Sequence, residues 1–218
     1  MDYYPIFLNL QDRLCIVIGG GKVAEGKVDG LLAAAARVRL VAPALTPALE
    51  QLAREQRIEH LARAYRPGDL AGAFLAISAT DERAVNEQVW QEANARSLLV
   101  NVVDDTPHCN FIAPSILRQG DLAIAISTSG KAPALAVRLR EQIAPLVGPE
   151  HARFLELAGS LRERLAAQRP SFAERRALWY QLVDSDVIGL LRQGDEPAAR
   201  ARMEEIMGVA PDASRASD

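Results

Sequence analysis

The chain has 218 residues, 49% of them apolar and 24% charged, which allows one large domain or two small ones around a real core. A formal net charge of −3 argues against a general nucleic-acid binder, no apolar run approaches the roughly 18–20 residues of a membrane helix, and "MDYYPIFLNL" lacks the basic start of a signal peptide. Two cysteines, Cys15 and Cys109, do not make a disulfide framework, so the cytoplasm is the expected compartment; Cys15 falls in an apolar run and reads as a buried thiol.

The first hundred residues alternate strand and helix. "RLCIVIG" (13–19) reads as a buried strand, residues 22–36 as a helix rich in alanine and leucine, and "RVRLVAP" (37–43) as a second strand. Thr46 followed by Pro47 marks a helix start. "FLAISAT" (74–80) is another buried strand, with Thr80 placed to cap the helix "DERAVNEQVWQEANAR", and "SLLVNVV" (97–103) closes the series. Such alternation predicts a Rossmann-like parallel sheet with helices on both faces. Beyond residue 112, "APSILRQGDLAIAISTSG" gives two extended runs joined at Gln119–Gly120–Asp121, an antiparallel hairpin. Its second run alternates large Leu122, Ile124 and Ile126 with small Ala123 and Ala125, so neither face is polar and a covering partner such as a second subunit is expected. From Pro133 onward the pattern is helical, broken near Pro145–Pro149, Arg169–Pro170 and Gly194–Pro197. The expected organisation is a dinucleotide-binding domain (1–112), a dimerisation segment (113–147), a helical domain (148–208) and a disordered tail (209–218).

"VIGGGKVAEGK" fits G-x-G-x-x-A with Gly19, Gly21 and Ala24, at the junction of the first strand and first helix. The first glycine permits the tight turn and the second lets the backbone approach a pyrophosphate. The third position must be small for helix and strand to pack, and the helix N-terminus offers free N–H groups to the phosphates. The alternative is a glycine turn used only for packing. The acid that normally binds the adenosine ribose is missing from the tip of the second strand, "LVAPAL", which leaves backbone groups near Pro43 and Ala44. No arginine stands at that tip either, which favours NAD over NADP. "STSGKAP" (127–133) resembles a phosphate loop but is not a Walker motif, since Ala125 and Ala132 replace the required glycine and Ser/Thr.

"NVVDDTPHCNF" (101–111) places Asp104, Asp105, His108 and Cys109 close together beyond the last strand of the sheet. A permanent metal cage is disfavoured, because such sites recruit ligands from several elements and no C-x-x-C or H-x-x-x-H reinforces this one. A carboxylate at the carboxyl edge of the sheet suits proton transfer, with partial burial raising its pKa; a polar loop whose aspartate caps a turn is the bland alternative.

Together "PIFLNLQDRLCIVIGGGKVAEGK", "ISATDERAVNEQV", "NVVDD…NFIAPSI" and "AISTSGKAPALAVRLRE" resemble the siroheme synthase N-terminal module, the precorrin-2 dehydrogenase / sirohydrochlorin ferrochelatase family, over about residues 1–205. The resemblance implies a homodimer joined through the segment after residue 112. It also implies NAD-dependent oxidation of precorrin-2 to sirohydrochlorin and then insertion of Fe²⁺ as a substrate. The methyltransferase domain of the longer fused enzymes is not expected. By resemblance Asp104 is the catalytic carboxylate, and Lys22, Val23, Pro43 and Ala44 contact NAD together with Gly19 and Gly21; Thr80 is counted with them. Asn101, Phe111 and Thr128 match the tetrapyrrole cleft, Thr128 standing where a phosphorylatable serine is common.

Charge agrees with an anionic substrate: the net is −3 over residues 1–112, +4 over 113–180 and −4 over 181–218. The positive middle segment offers Lys131, Arg138 and Arg140 to a polycarboxylate, although solvated helix faces give the same balance. Since the macrocycle supplies the metal's nitrogen ligands, the protein needs a base, and His108 reads as a solvated loop residue. Two further readings are a dehydrogenase without useful chelatase activity and a non-catalytic NAD-sensing dimer.

Overall fold

Apolar strands of four or five residues, each followed by a helix or loop that returns to the same edge, organise the first half of the chain. A computed structural model describes residues 3–209, which fall into two units meeting between Ala113 and Pro114. In the first unit the elements run β1 (Leu14–Ile18), α1 (Lys22–Leu32), β2 (Arg37–Val41), α2 (Pro47–Arg54), β3 (Ile58–Leu61), β4 (Leu75–Ser78), α3 (Arg83–Ala95) and β5 (Leu99–Val102). The five strands form one parallel sheet in the order β3-β2-β1-β4-β5, so the Rossmann-like expectation holds.

The period of two along each strand builds two cores. Cys15 and Val17 of β1, Val38 and Leu40 of β2, and Leu75 and Ile77 of β4 face one way, against Ala24, Val28 and Leu31 of α1 and Leu49 of α2. Ile16, Ile18, Ala76, Val100 and Val102 face the other way, against Val89 and Ala93 of α3. Burial pushes the Cys15 thiol up to about 11. Thr46 caps α2 as its sequence predicts: its Oγ1 accepts from the Leu49 N–H at 3.4 Å.

Four local readings are corrected. The first helix stops at Leu32, not 36, because Ala35 takes a left-handed φ of 55° and its carbonyl accepts from Asp12 N–H at 3.0 Å, turning the chain into β2. The polar strand β3 was not read from "IEHL". Thr80 does not cap α3: Glu82 holds the N-cap position, and the Thr80 hydroxyl accepts from the Glu82 N–H at 3.3 Å. A further helix break falls at residues 184–186.

The second unit opens with the antiparallel hairpin of β6 (Ser115–Gln119) and β7 (Leu122–Ile126), turned at Gly120 with φ 55°. It continues with α4 (Pro133–Ile143), α5 (Pro149–Gln168), α6 (Phe172–Val183), α7 (Val187–Arg192) and α8 (Glu196–Met207). Helices α4 and α5 pack on the hairpin, yet none of its ten strand residues is buried. Leu157, Leu161 and Leu165 form the spine of the helical core, with Leu182, Val187 and Met203. Val209, assigned by sequence to the tail, is buried in this cluster, and residues 210–218 lie outside the described ones. Among the described residues no helix is long and apolar enough to cross a membrane.

Arg153 of α5 grips Glu196 at the start of α8 with two hydrogen bonds of 2.8 and 2.7 Å. The guanidinium pulls the Glu196 carboxyl down to about 2. A depressed carboxylate contributes stability above its unfolded pKa that is lost as pH falls through the folded one. Glu196→Gln therefore lowers the melting temperature near neutral pH, and the difference from the unmodified protein closes between pH 4.5 and about 2; thermal melts across that range check it.

Candidate functional site

The parallel register fixes one row at the carboxyl edge of the sheet. Ile18 pairs with both Val41 and Ser78, and Ser78 pairs with Val102. The ladder continues one residue further, through Gly19 N–H to Val41 O (3.0 Å), Ala79 N–H to Ile18 O (2.7 Å) and Val103 N–H to Ser78 O (2.9 Å). Gly20, Pro43, Thr80 and Asp104 are thus each the second residue past the last paired row. The sequence order of β1 and β4 reverses here, and ligands of open α/β sheets bind at such a crossing. The strand spacing puts the ends of β1 and β5 roughly 10 Å apart.

The three glycines of the turn have different reasons to be glycine. Gly19 has φ 108°, and a Cβ there would lie 2.2 Å from the Ala79 carbonyl oxygen. A Cβ on Gly20 would lie 2.0 Å from the Ala44 carbonyl oxygen, a requirement that the fingerprint did not assign to this position. Gly21 is the N-cap of α1, and a Cβ there would meet nothing within 4 Å. Packing within the protein gives Gly21 no reason to lack a side chain, whereas a pyrophosphate lying on the helix N-terminus does. Ala24, the third fingerprint position, is fully buried. Lys22 and Val23 are exposed on the first turn. Lys22 is paired with Glu25, whose carboxyl also accepts from the Thr46 hydroxyl at 3.0 Å; both contacts hold its pKa below the ordinary range.

A recess of about 330 Å³ opens beside Pro43 and Ala44 and is also lined by Glu50 and Arg54 of α2 and by His60 of β3. The His60 ring donates from Nε2 to the Ala42 carbonyl at 2.9 Å. An acid and an arginine, both absent from the strand tip, thus line this recess from the next helix, which strand-tip spacing does not reveal. This removes the sequence argument against a 2′-phosphate.

Asp104 takes φ 60°, a left-handed conformation that aspartate tolerates, and its side chain is exposed, not partly buried as expected. The loop around it is pinned elsewhere. Cys109, 7% exposed, accepts from Val102 N–H at 3.2 Å and from the Asn101 amide at 3.4 Å, and its thiol faces the Val102 and Asp105 carbonyls at 3.2 Å; burial raises its pKa. The amide nitrogen of buried Asn101 also donates to the Phe111 carbonyl at 3.1 Å, which places Asn101 and Phe111 together and commits that nitrogen to the loop. His108 is not simply solvated: its Nδ1 lies 2.7 Å from Asp105 Oδ2, its Nε2 lies 3.3 Å from Glu87 Oε2, and its ring meets Trp90 edge-on at 4.9 Å. Asp105 first, then Glu87, raises its pKa. Among the described residues no group of three His, Cys, Asp or Glu side chains is arranged to hold a metal ion.

In the second unit, Thr128 and Lys131 belong to a turn entering α4. Ser129 and Gly130 are left-handed, and Thr128 Oγ1 accepts from Ala132 N–H at 3.2 Å. Lys131 is exposed; among the described residues it and Arg140 form no ion pair, whereas Arg138 pairs with Glu141 at 2.9 Å.

Three family models match the chain. One described as putative NAD(P)-binding covers residues 6–115, one described as sirohaem biosynthesis protein central covers 119–145, and one described as sirohaem synthase dimerisation region covers 150–207. The dimerisation description thus falls on the helices, beyond the 113–147 segment expected from sequence. Siroheme synthase of Photobacterium profundum is 45% identical over 203 residues, 93% of this chain and 43% of that protein. Siroheme synthase 1 of Serratia proteamaculans is 41% identical over 205 residues, 94% and 43% respectively. The chain spans less than half the length of these relatives. The solved structure of SirC, precorrin-2 dehydrogenase, superposes with a TM-score of 0.77 over 93% of this chain and 100% of that one, at 23% identity, and shares the fold.

The glycine geometry separates packing from ligand contact. Gly20→Ala destabilises the fold by about 1–3 kcal/mol through overpacking against the Ala44 carbonyl. Gly21→Ser supplies a capping hydroxyl, leaves urea stability unchanged or raised, and weakens dinucleotide binding by filling the open cradle. Urea titration with fluorescence-detected NAD binding checks both.

Proposed function

The chain belongs to the siroheme synthase N-terminal family, and on that premise we propose that it oxidises precorrin-2 to sirohydrochlorin with NAD. The observation that carries the reading is the shared row at the carboxyl edge, which sets an open glycine cradle and an exposed carboxylate two strands apart. Bound NAD supplies a hydride acceptor. The backbone of Gly19–Gly21 and the first turn of α1 receive its pyrophosphate, with Lys22 and Val23 at the edge of that contact. The recess at Pro43 and Ala44 receives the adenosine end, Glu50 accepting from a ribose hydroxyl in place of the acid missing from the strand tip. Thr80 lies in the same row between the two halves.

Dehydrogenation removes a hydride and a proton, and Asp104 Oδ takes or relays the proton. Its exposure leaves it accessible to a large substrate. Insertion of Fe²⁺, a substrate here, displaces two pyrrole N–H protons, and Asp104 is the acceptor proposed for that second reaction as well; Asn101 and Phe111 shape the loop beside it. Thr128 and the exposed ammonium of Lys131 are proposed contacts for the substrate's carboxylates. A homodimer is proposed, supported by the dimerisation-region match and by exposed Phe172, Tyr180 and Val183 on α6.

Asp104→Asn preserves the left-handed turn and removes the charge, so NAD binding stays intact while sirohydrochlorin formation, followed by absorbance, is lost. Normal turnover in that variant removes Asp104 from the mechanism, and NAD binding without any turnover by the unmodified chain leaves the sensor reading. Glu50→Gln weakens NAD about tenfold or more, the value of one charge-assisted hydrogen bond. Arg54→Ala leaves NAD affinity unchanged and lowers that for NADP; equilibrium titrations with both cofactors read this directly.

A further inference from the structure

Resting on the reading of Asp104 as the catalytic carboxylate, we propose that His108 is its positioning residue, a clamp that ties the loop carrying Asp104 to α3. The loop leaves β5 through the left-handed Asp104 and makes one turn of 3-10 helix at Thr106–His108. It is anchored at the C-terminal end of that turn, through His108 and Cys109, and not at Asp104. Cys109 is locked to the backbone of β5, as described, and His108 reaches in the other direction to α3. Among the described residues Asp104 has no hydrogen bond or ion pair from its side chain, so its location is inherited from these neighbouring anchors.

The groups facing the His108 ring are Asp105 from its own loop and Glu87 and Trp90 from α3. Nδ1 is hydrogen-bonded to Asp105, and only the imidazolium also carries the positive charge that pairs with Glu87 at 3.3 Å. When the ring loses a proton, Nδ1–H keeps Asp105, and the bare Nε2 lone pair then faces the Glu87 carboxylate at 3.3 Å. Deprotonation therefore releases the tether to α3 and keeps the one within the loop. Because the carboxylates raise the histidine pKa, the clamp is complete below the ordinary value of 6.5 and opens as pH rises through the raised one.

Steady-state oxidation of precorrin-2 by the full chain, measured across pH, tests this. His108→Ala lowers kcat about ten- to a hundredfold, as displacement of a catalytic group by an ångström does, and leaves NAD affinity within about twofold because the glycine cradle is separate. His108→Gln, whose amide can still donate to Asp105, recovers part of kcat. Glu87→Gln removes the charge whose attraction depends on ring protonation, so the alkaline decline of kcat expected of the unmodified protein flattens. A His108→Ala variant with normal kcat, one whose NAD affinity falls in parallel with kcat, or an unchanged alkaline limb in Glu87→Gln overturns the assignment. Trp90 emission supplies a readout without turnover: its quenching titrates above pH 6.5 and vanishes in His108→Ala. If the unmodified chain makes no sirohydrochlorin, the proposed activity falls. The positioning role then falls with it, and the titration alone decides whether the clamp exists.

Discussion

Parallel pairing without offset is the constraint on which the site depends. Because Ile18, Val41, Ser78 and Val102 lie in one paired row, the loops after β1, β2, β4 and β5 all begin at the same height. Such a row follows from burial on both faces: a one-residue slip of any strand would exchange the residues facing α1 and α2 with those facing α3. The cores that stabilise the sheet thereby also set where a glycine turn, the Pro43–Ala44 recess and a carboxylate stand relative to each other. No part of that arrangement needs a contact between the functional groups themselves.

Within the row, close backbone approach accounts for two of the glycines and leaves the third to chemistry. Gly19 and Gly20 press on the carbonyls of Ala79 and Ala44, so they hold the end of β1 against the loops on either side. Gly21 faces open space at the head of α1, where an anion meets unsatisfied N–H groups. The ion pair of Lys22 with Glu25 and the Thr46 hydroxyl on the same carboxylate join the first turns of α1 and α2. The glycine turn and the rim of the Pro43–Ala44 recess are consequently one braced unit.

The strands with apolar runs were legible in the sequence because burial on both faces demands such runs; β3 was not, since this edge strand fully buries Ile58 alone, and Glu59 pairs with Arg39 at 2.8 Å outside. The hairpin was legible through its alternation and Gly120. The alanine run 33–36 carries no stop signal, so the end of α1 is decided by the tertiary bond from Asp12 to Ala35. In the site, the fingerprint named Gly19 and Gly21 but not Gly20, whose role arises from a loop residue 24 positions later. Glu50 and Arg54 were hidden for the same reason: α2 folds back over the strand tip, which no local spacing encodes. The tethers of His108 to Glu87 and Trp90 likewise join residues about twenty apart.

An exposed side chain such as that of Asp104 poses a problem that a buried one does not, because packing does not hold it. The loop after β5 answers this by dividing the work. Backbone conformation orients Asp104, Cys109 and Asn101 fix the loop to the sheet, and His108 fixes it to α3. The anchors engage β5 and α3, so the carboxylate stays exposed while the backbone beneath it has few ways to move. Two of the anchors are a buried thiol and a buried amide, insensitive to pH near neutrality. The third is an imidazole between two carboxylates and is the one element of the support whose strength changes with proton concentration. On the proposed roles of Asp104 and His108, proton supply and the placement of the proton acceptor are coupled through a residue that need not touch the substrate.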